Sequence, residues 1–74
     1  MTLEQLTKGQ CARVVCLRED CAIRERLQDL GMIPGRTVSV QLQSPLGDPT
    51  AYLICGSVIA LRREDARSVE INTL

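Results

Sequence analysis

Four cysteines, Cys11, Cys16, Cys21 and Cys55, carry the most reactive side chains of this chain, and the first three recur at every fifth position. Thiolates can bind soft or borderline metals or close disulfides. Each of those chemistries needs a setting that the sequence does not supply. There is no CxxC knuckle, and no His to complete a common zinc set. A disulfide framework needs an oxidising compartment, and no secretory signal precedes the fold. The expectation is therefore four free thiols serving as small buried hydrophobes. The competing reading has Cys11, Cys16, Cys21 or Cys55 holding Fe²⁺ or Zn²⁺.

Catalysis finds no support. With no His there is no imidazole base, no GxSxG or Cys/His nucleophile pattern occurs, and no glycine-rich loop leads into a helix to cradle phosphate. Glu19, Asp20, Glu25 and Asp29 cluster around one helical stretch, where capping and solvation account for them. The chain is not expected to be an enzyme, and no catalytic or metal site is assigned. Two other groups can make contacts. Arg62-Arg63 after an apolar run is either a solvated turn or a clamp for a carboxylate across an interface. The segment Ser44-Pro45-Leu46-Gly47-Asp48-Pro49 has the Pro, Gly and Asp of a turn but no local need for Leu46, so that side chain is either folded back or offered to a partner. The candidate partner-binding residues are Pro45, Leu46, Gly47, Asp48, Pro49, Tyr52, Arg62 and Arg63.

The elements that must position these groups are short. Seventy-four residues are expected to form one domain, 1–74, with a small core. Nine basic and nine acidic residues give no net charge, and with a single Tyr and no Phe or Trp there is neither a field nor a stacking platform for nucleic acid. No apolar run is long enough to span a bilayer, so a cytoplasmic location without membrane insertion is expected.

The organising stretch runs from Leu27 to Gly35. Ile23, Leu27 and Leu30 fall on one helical face, and Gly31 stands where a left-handed residue closes a helix, with Met32 folding back on Leu27. Pro34-Gly35 has type II turn chemistry, after which the apolar period switches to two and a strand begins at Arg36. Leu27, Leu30, Gly31, Met32, Pro34 and Gly35 thus form a structural pivot, with Ile33 in the core beside them. Asp20 is expected to cap a helix over Cys21 to Leu30.

Elsewhere, Thr2 caps a turn whose Leu3 and Leu6 close one end of the core. Gln10 to Leu17 reads as a strand with Ala12, Val14 and Cys16 on one face, and Val38, Val40 and Leu42 form the dry face of another. Thr50 to Cys55 and Val58 to Leu61 pair through a Gly56-Ser57 turn of the II′ kind, Cys55 opposite Val58. That hairpin is apolar on both faces, Leu53, Cys55, Val58 and Ala60 on one and Tyr52, Ile54, Ile59 and Leu61 on the other. One face must then be covered by the helix, a neighbouring subunit or a partner. The candidate exposed face is that of Tyr52 and Ile54. Arg62 to Ala66 makes a charged turn, and Ser68 to Ile71 adds a strand with Val69 and Ile71 inward. The fold class is mainly β, a small closed or partly open barrel of about five strands with one α-helix between the first and second.

Four segments, Leu6 to Gly9, Ile23 to Gly35, Ser44 to Pro49 and Gly56 to Arg63, stand in an order that resembles the FeoA family of bacterial ferrous iron transport proteins. The resemblance covers nearly the whole chain. It implies an SH3-like β-barrel in the cytosol that acts with the membrane iron transporter FeoB, whose cytoplasmic part binds GTP, as an accessory or regulatory module without enzymatic activity. It leaves self-association open and assigns no role to the three N-terminal cysteines. An alternative is a metal-responsive module related to the SH3-like C-terminal domain of iron-dependent repressors.

Overall fold

The computed structural model describes every residue from Met1 to Leu74. A 3₁₀ turn, Leu3–Gln5, precedes strand β1, Cys11–Leu17, and helix α1, Arg24–Asp29. Strands β2, Thr37–Gln43, β3, Thr50–Ile54, and β4, Ser57–Leu61, follow, then the one-turn helix α2, Arg63–Ala66, and strand β5, Val69–Thr73. All five strands join one antiparallel sheet in the order β4-β3-β2-β1-β5. The expected architecture is present, open between β4 and β5. Its core gathers Leu3 and Leu6 with Val14, Val38, Ile54, Val69 and Ile71 from the strands and Leu27 and Met32 from the pivot, all buried.

The pivot forms as its residues dictate. Gly31 has φ +102° and donates its N–H to the Gln28 carbonyl at 3.0 Å, while Met32 donates to that of Leu27 at 2.9 Å, the paired bonds of a Schellman end. Met32 and Leu27 are thereby both driven into the core. Gly35, at φ +91°, lets the Arg36 N–H reach the Ile33 carbonyl at 3.2 Å and close the type II turn. Leu30 departs from its expected core position. It caps α1 and is 38% exposed.

Helix α1 is shorter than its periodicity suggests, because Asp20 does not cap it. The Cys21 N–H bonds to the Arg18 carbonyl and that of Arg24 to Cys21, both at 3.2 Å, so the chain first makes separate turns that bury Cys21. Ile23, not Asp20, stands at the helix start, with φ −113° and ψ 27°. At the far end the charged stretch after β4 is likewise more regular than a turn, since α2 seats Ala66 in the core.

Two bulges redirect side chains whose alternation looked continuous. Val14 pairs with Ile71 but Cys16 with Glu70, so Val15 is the extra residue and the alternation flips beyond it. Leu17 is therefore buried, and Cys16 lies beside Glu70 instead of in the core. In β2 the register slips between Val40 and Leu42, which turns Leu42 outward to 60% exposure.

The β3–β4 hairpin is also displaced. Ile54 pairs with Ser57 and Leu53 with Val58, so the turn residues are Cys55 and Gly56, at φ +50° and +77°. Two successive positive φ angles make a I′ turn, whose twist matches its strands, where a Gly-Ser II′ turn was expected. The division of faces survives the shift. Tyr52, Ile54, Ile59 and Leu61 share the inner face, while Leu53, Val58 and Ala60 look outward with Ala51.

Candidate functional site

The loop between β2 and β3 is held from within and from without. The Gly47 N–H bonds to the Ser44 carbonyl at 2.8 Å, closing its bend, and the Ser44 N–H reaches Pro49 at 3.4 Å. Asp48 then crosses to α2, where its Oδ1 accepts the Arg63 N–H at 3.0 Å. That donor would otherwise be an orphan at the helix start, so one carboxylate both caps α2 and anchors the loop. The Arg63 guanidinium lies against Gly47, 3.4 Å from the point a β-carbon would occupy. Everything in the loop is thus tied down except its tip. Leu46 is 90% exposed.

Beneath the loop lies a polar cleft of about 110 Å³ lined by Glu4, Gln43, Gly47, Thr50, Tyr52 and Arg63. Tyr52 reaches it from the core and is itself buried, its hydroxyl donating to the Leu3 carbonyl at a long 3.5 Å. Burial disfavours the phenolate and raises the Tyr52 pKa. This corrects the expectation that Tyr52 and Ile54 present a docking face. Their side of the sheet packs on the core, and the free face is that of Leu53, Val58 and Ala60. Pro45, Pro49, Arg62 and Arg63 are all exposed. The one carboxylate within ion-pair distance of Arg62 is Glu64 at 4.0 Å, a solvated pair of little energetic weight.

The cysteines do not share one environment. Cys21 is buried as expected, but Cys11 and Cys55 are exposed and Cys16 is half-buried. The Cys16 thiol donates to Glu70 Oε2 at 2.9 Å. That hydrogen bond to a carboxylate, helped by desolvation and by the negative charge, holds the thiol pKa above its ordinary value. All four are free, and no three His, Cys, Asp or Glu side chains converge as a metal site would require.

Sequence reasoning missed a second feature, a groove of about 410 Å³ between α1 and β4. Ile23, Leu27 and Leu30 form one wall and Ile59, Ala60 and Leu61 the other, with Arg26, Arg62 and Asp65 at the rim. Its one signal in the sequence was Ser57 to Leu61, a strand without a charge or a proline to guard an edge.

An SH3-like barrel of five antiparallel strands, with a helix between the first two and an exposed loop after the second, is the class this architecture defines. No helix in it is long and apolar enough to cross a membrane. The FeoA domain family matches residues 1–73, and the chain belongs to that family, which is associated with ferrous iron transport. A Porphyromonas gingivalis fusion of Fe(2+) transport protein A with the Fe(2+) transporter FeoB is 34% identical over the whole of this chain, which spans 9% of that relative's length. The solution structure of the Chlorobium tepidum FeoA protein superposes with a TM-score of 0.91 at 34% identity, covering all of this chain and 70% of that one. A Stenotrophomonas maltophilia FeoA crystallised with zinc and described as an SH3 domain protein gives 0.86 at 29% identity, covering 97% and 89%. The T. acidophilum IdeR shares the fold alone, with a TM-score of 0.82 at 20% identity over 99% of this chain and 33% of its own.

Proposed function

We propose that this protein is a cytoplasmic accessory module of ferrous iron uptake that docks on the FeoB transporter through the Ser44 to Pro49 loop and modulates its activity without catalysing a reaction itself. The observation that carries the reading is Leu46, 90% exposed at the tip of a loop fixed at its base by Asp48 and Arg63. A pre-ordered loop loses little entropy on binding, so a single apolar tip can act as an anchor. The Porphyromonas gingivalis relative supports the choice of partner, because fusion places an FeoA-like segment and an FeoB transporter in one chain. Pro45, Gly47, Asp48, Pro49, Arg62 and Arg63 would then frame Leu46.

The test is association of this protein with the soluble domain of FeoB and with the full-length transporter, measured for the native chain and Leu46→Asp. Loss of roughly 2 kcal/mol or more of binding with an unchanged melting temperature is expected for an interface anchor. Unchanged binding would place docking on another surface, and a sharp fall in melting would mean that Leu46 belongs to the fold. The metal-handling alternative would need ligands that converge, and the four thiols are dispersed.

A further inference from the structure

Helix α2 is too short to stand alone. Four residues make a single turn, and a turn fixes its backbone for so few hydrogen bonds that it is not stable by itself in water. Its helical state is therefore supplied from outside, through three attachments. Ala66 is seated in the core. At the front, the Arg63 N–H donates to Asp48 Oδ1 at 3.0 Å, the same bond that fixes the base of the loop from Ser44 to Pro49. At the back, Arg67 is the C-cap, and its Nε donates to Glu4 Oε2 at 3.3 Å.

Glu4 is a firm post for that third attachment. Leu3 and Leu6, on either side of it, are both buried. Its other oxygen accepts the Thr2 hydroxyl at 3.2 Å, and the Met1 carbonyl accepts the Ile71 N–H at 2.8 Å, so the N-terminal turn is fastened to β5 as well as to the core. The Glu4 side chain is only 20% exposed, and neither Glu4 nor Arg67 has a second ion pair. Turn, helix and loop also meet at one place, giving Glu4, Arg63 and Gly47 to the wall of the polar cleft.

An element with two states, held in one of them by contacts at both ends, couples those ends, because strengthening either attachment raises the helical population on which the other depends. We infer that α2 is such a coupler, and that Glu4 and Arg67 are positioning residues for the docking loop, acting through the helix and Asp48. When α2 unwinds, the Arg63 N–H leaves Asp48, and the base of the loop loses its outside anchor. The order of the loop that presents Leu46 is therefore set in part at the N-terminal turn. Its bearing on docking rests on the role proposed for that loop, whereas the coupling itself does not.

Amide exchange and ¹⁵N relaxation of this protein alone test the coupling. Glu4→Gln keeps the shape of the side chain and removes its charge, and Arg67→Ala removes the other partner. Either should speed exchange at Ala66 and Arg67, whose amides bond back to Arg62 and Arg63, by roughly two- to fivefold, the range of a partly exposed ion pair. Exchange at Arg63 and Gly47 should rise with it, while amides of the central strand β2 stay as they are. The double variant should exchange no faster than either single one, since both remove the same bond. In the reverse direction, Asp48→Ala should speed exchange of the Arg67 Nε–H that Glu4 protects. Unmoved amides at Arg63 and Gly47 in Glu4→Gln, additive effects in the double variant, or a uniform rise that includes β2 would overturn the inference. Binding to FeoB is a separate arm, in which Arg67→Ala should weaken association by no more than the factor seen at Gly47, because only the open fraction is lost to binding. A greater loss would place Arg67 in the interface itself and overturn its positioning role. Unchanged binding in Leu46→Asp would remove the docking reading and leave the amides to decide the coupling.

Discussion

Replacing Gly31 by alanine tests the join between helix and sheet, because two costs of different origin meet at that residue. The first is conformational. At φ +102° an L-residue is strained by roughly 1–2 kcal/mol. The second is steric, since a β-carbon there would stand 2.7 Å from Cys55 Sγ and 3.2 Å from its Cβ. Overfilling a packed site costs about 1–3 kcal/mol, and the lower end applies because the sulfur ends a short, exposed side chain that can rotate away. Gly31→Ala should thus lose roughly 2–3 kcal/mol, against a total stability on the order of 4–11 kcal/mol for a chain of this length. The melting temperature should fall by roughly 10–20 °C. Cys55→Gly alone should be nearly neutral, because glycine suits the left-handed turn position while loosening the unfolded chain. In that background Gly31→Ala should cost only the conformational part. Urea unfolding followed by circular dichroism on the four chains gives the coupling, expected at about 1 kcal/mol. Additivity to within roughly 0.3 kcal/mol would show that the two residues do not touch, and a neutral Gly31→Ala would show that residue 31 is not left-handed.

Asp48→Ala should remove the cap of α2 and cost about 0.5–2 kcal/mol in urea unfolding; if the loop anchors FeoB, it should also weaken that association while Leu46 stays intact, and unaltered stability would show that the Asp48 to Arg63 bond is idle. Glu70→Ala should lower the Cys16 pKa toward the ordinary 9.0, so alkylation of Cys16 at pH 8, followed by peptide mass mapping, should accelerate. An unchanged rate would mean that Glu70 does not hold the thiol. Cys16 and Tyr52 both have folded pKa values above their ordinary 9.0 and 10.0, so the stability they contribute is complete below those values and is lost as pH rises through the folded ones. Tyr52→Phe should therefore cost no more than about 1 kcal/mol at neutral pH, given its long hydrogen bond, and should flatten the alkaline fall in stability; an equally steep fall would clear Tyr52 of that role.

Local rules were enough wherever one residue determines one backbone state. Gly31, Pro34-Gly35 and the Leu27 to Met32 contact could be read directly, since a left-handed residue and a fixed φ leave few alternatives. The grouping of side chains in β3 and β4 was equally legible, because a hairpin slip that preserves parity leaves each with its own set, but which set meets the core was not, and Tyr52 and Ile54 lie inward. The bulges were not. Nothing in Val14-Val15-Cys16 or Val40-Gln41-Leu42 distinguishes a bulged strand from a regular one, because the extra residue is chosen by the partner strand's register. From that single blindness came three errors, the misplaced Leu17, Cys16 and Leu42. The Cys16 to Glu70 hydrogen bond was hidden for the same reason. Asp48 was read as a turn residue because its acceptor role depends on a helix fifteen positions later in the chain.

The bulge in β2 also bears on how the chain is used. Had the alternation continued, Leu42 would lie in the core and the outer face of β2 and β3 would end in Ser39 and Gln41, a surface suited to water. With Gln41 as the extra residue, Leu42 instead pairs beside Ala51 and extends the patch of Leu53, Val58 and Ala60 toward the loop that carries Leu46. Apolar area on a chain of this size weakens solubility unless something covers it. A core residue moved outward is also a loss to a domain with few core residues to spare. The same strand pair thus gives up burial on one side and adds Leu42 to the outward apolar side chains of Leu53, Val58 and Ala60.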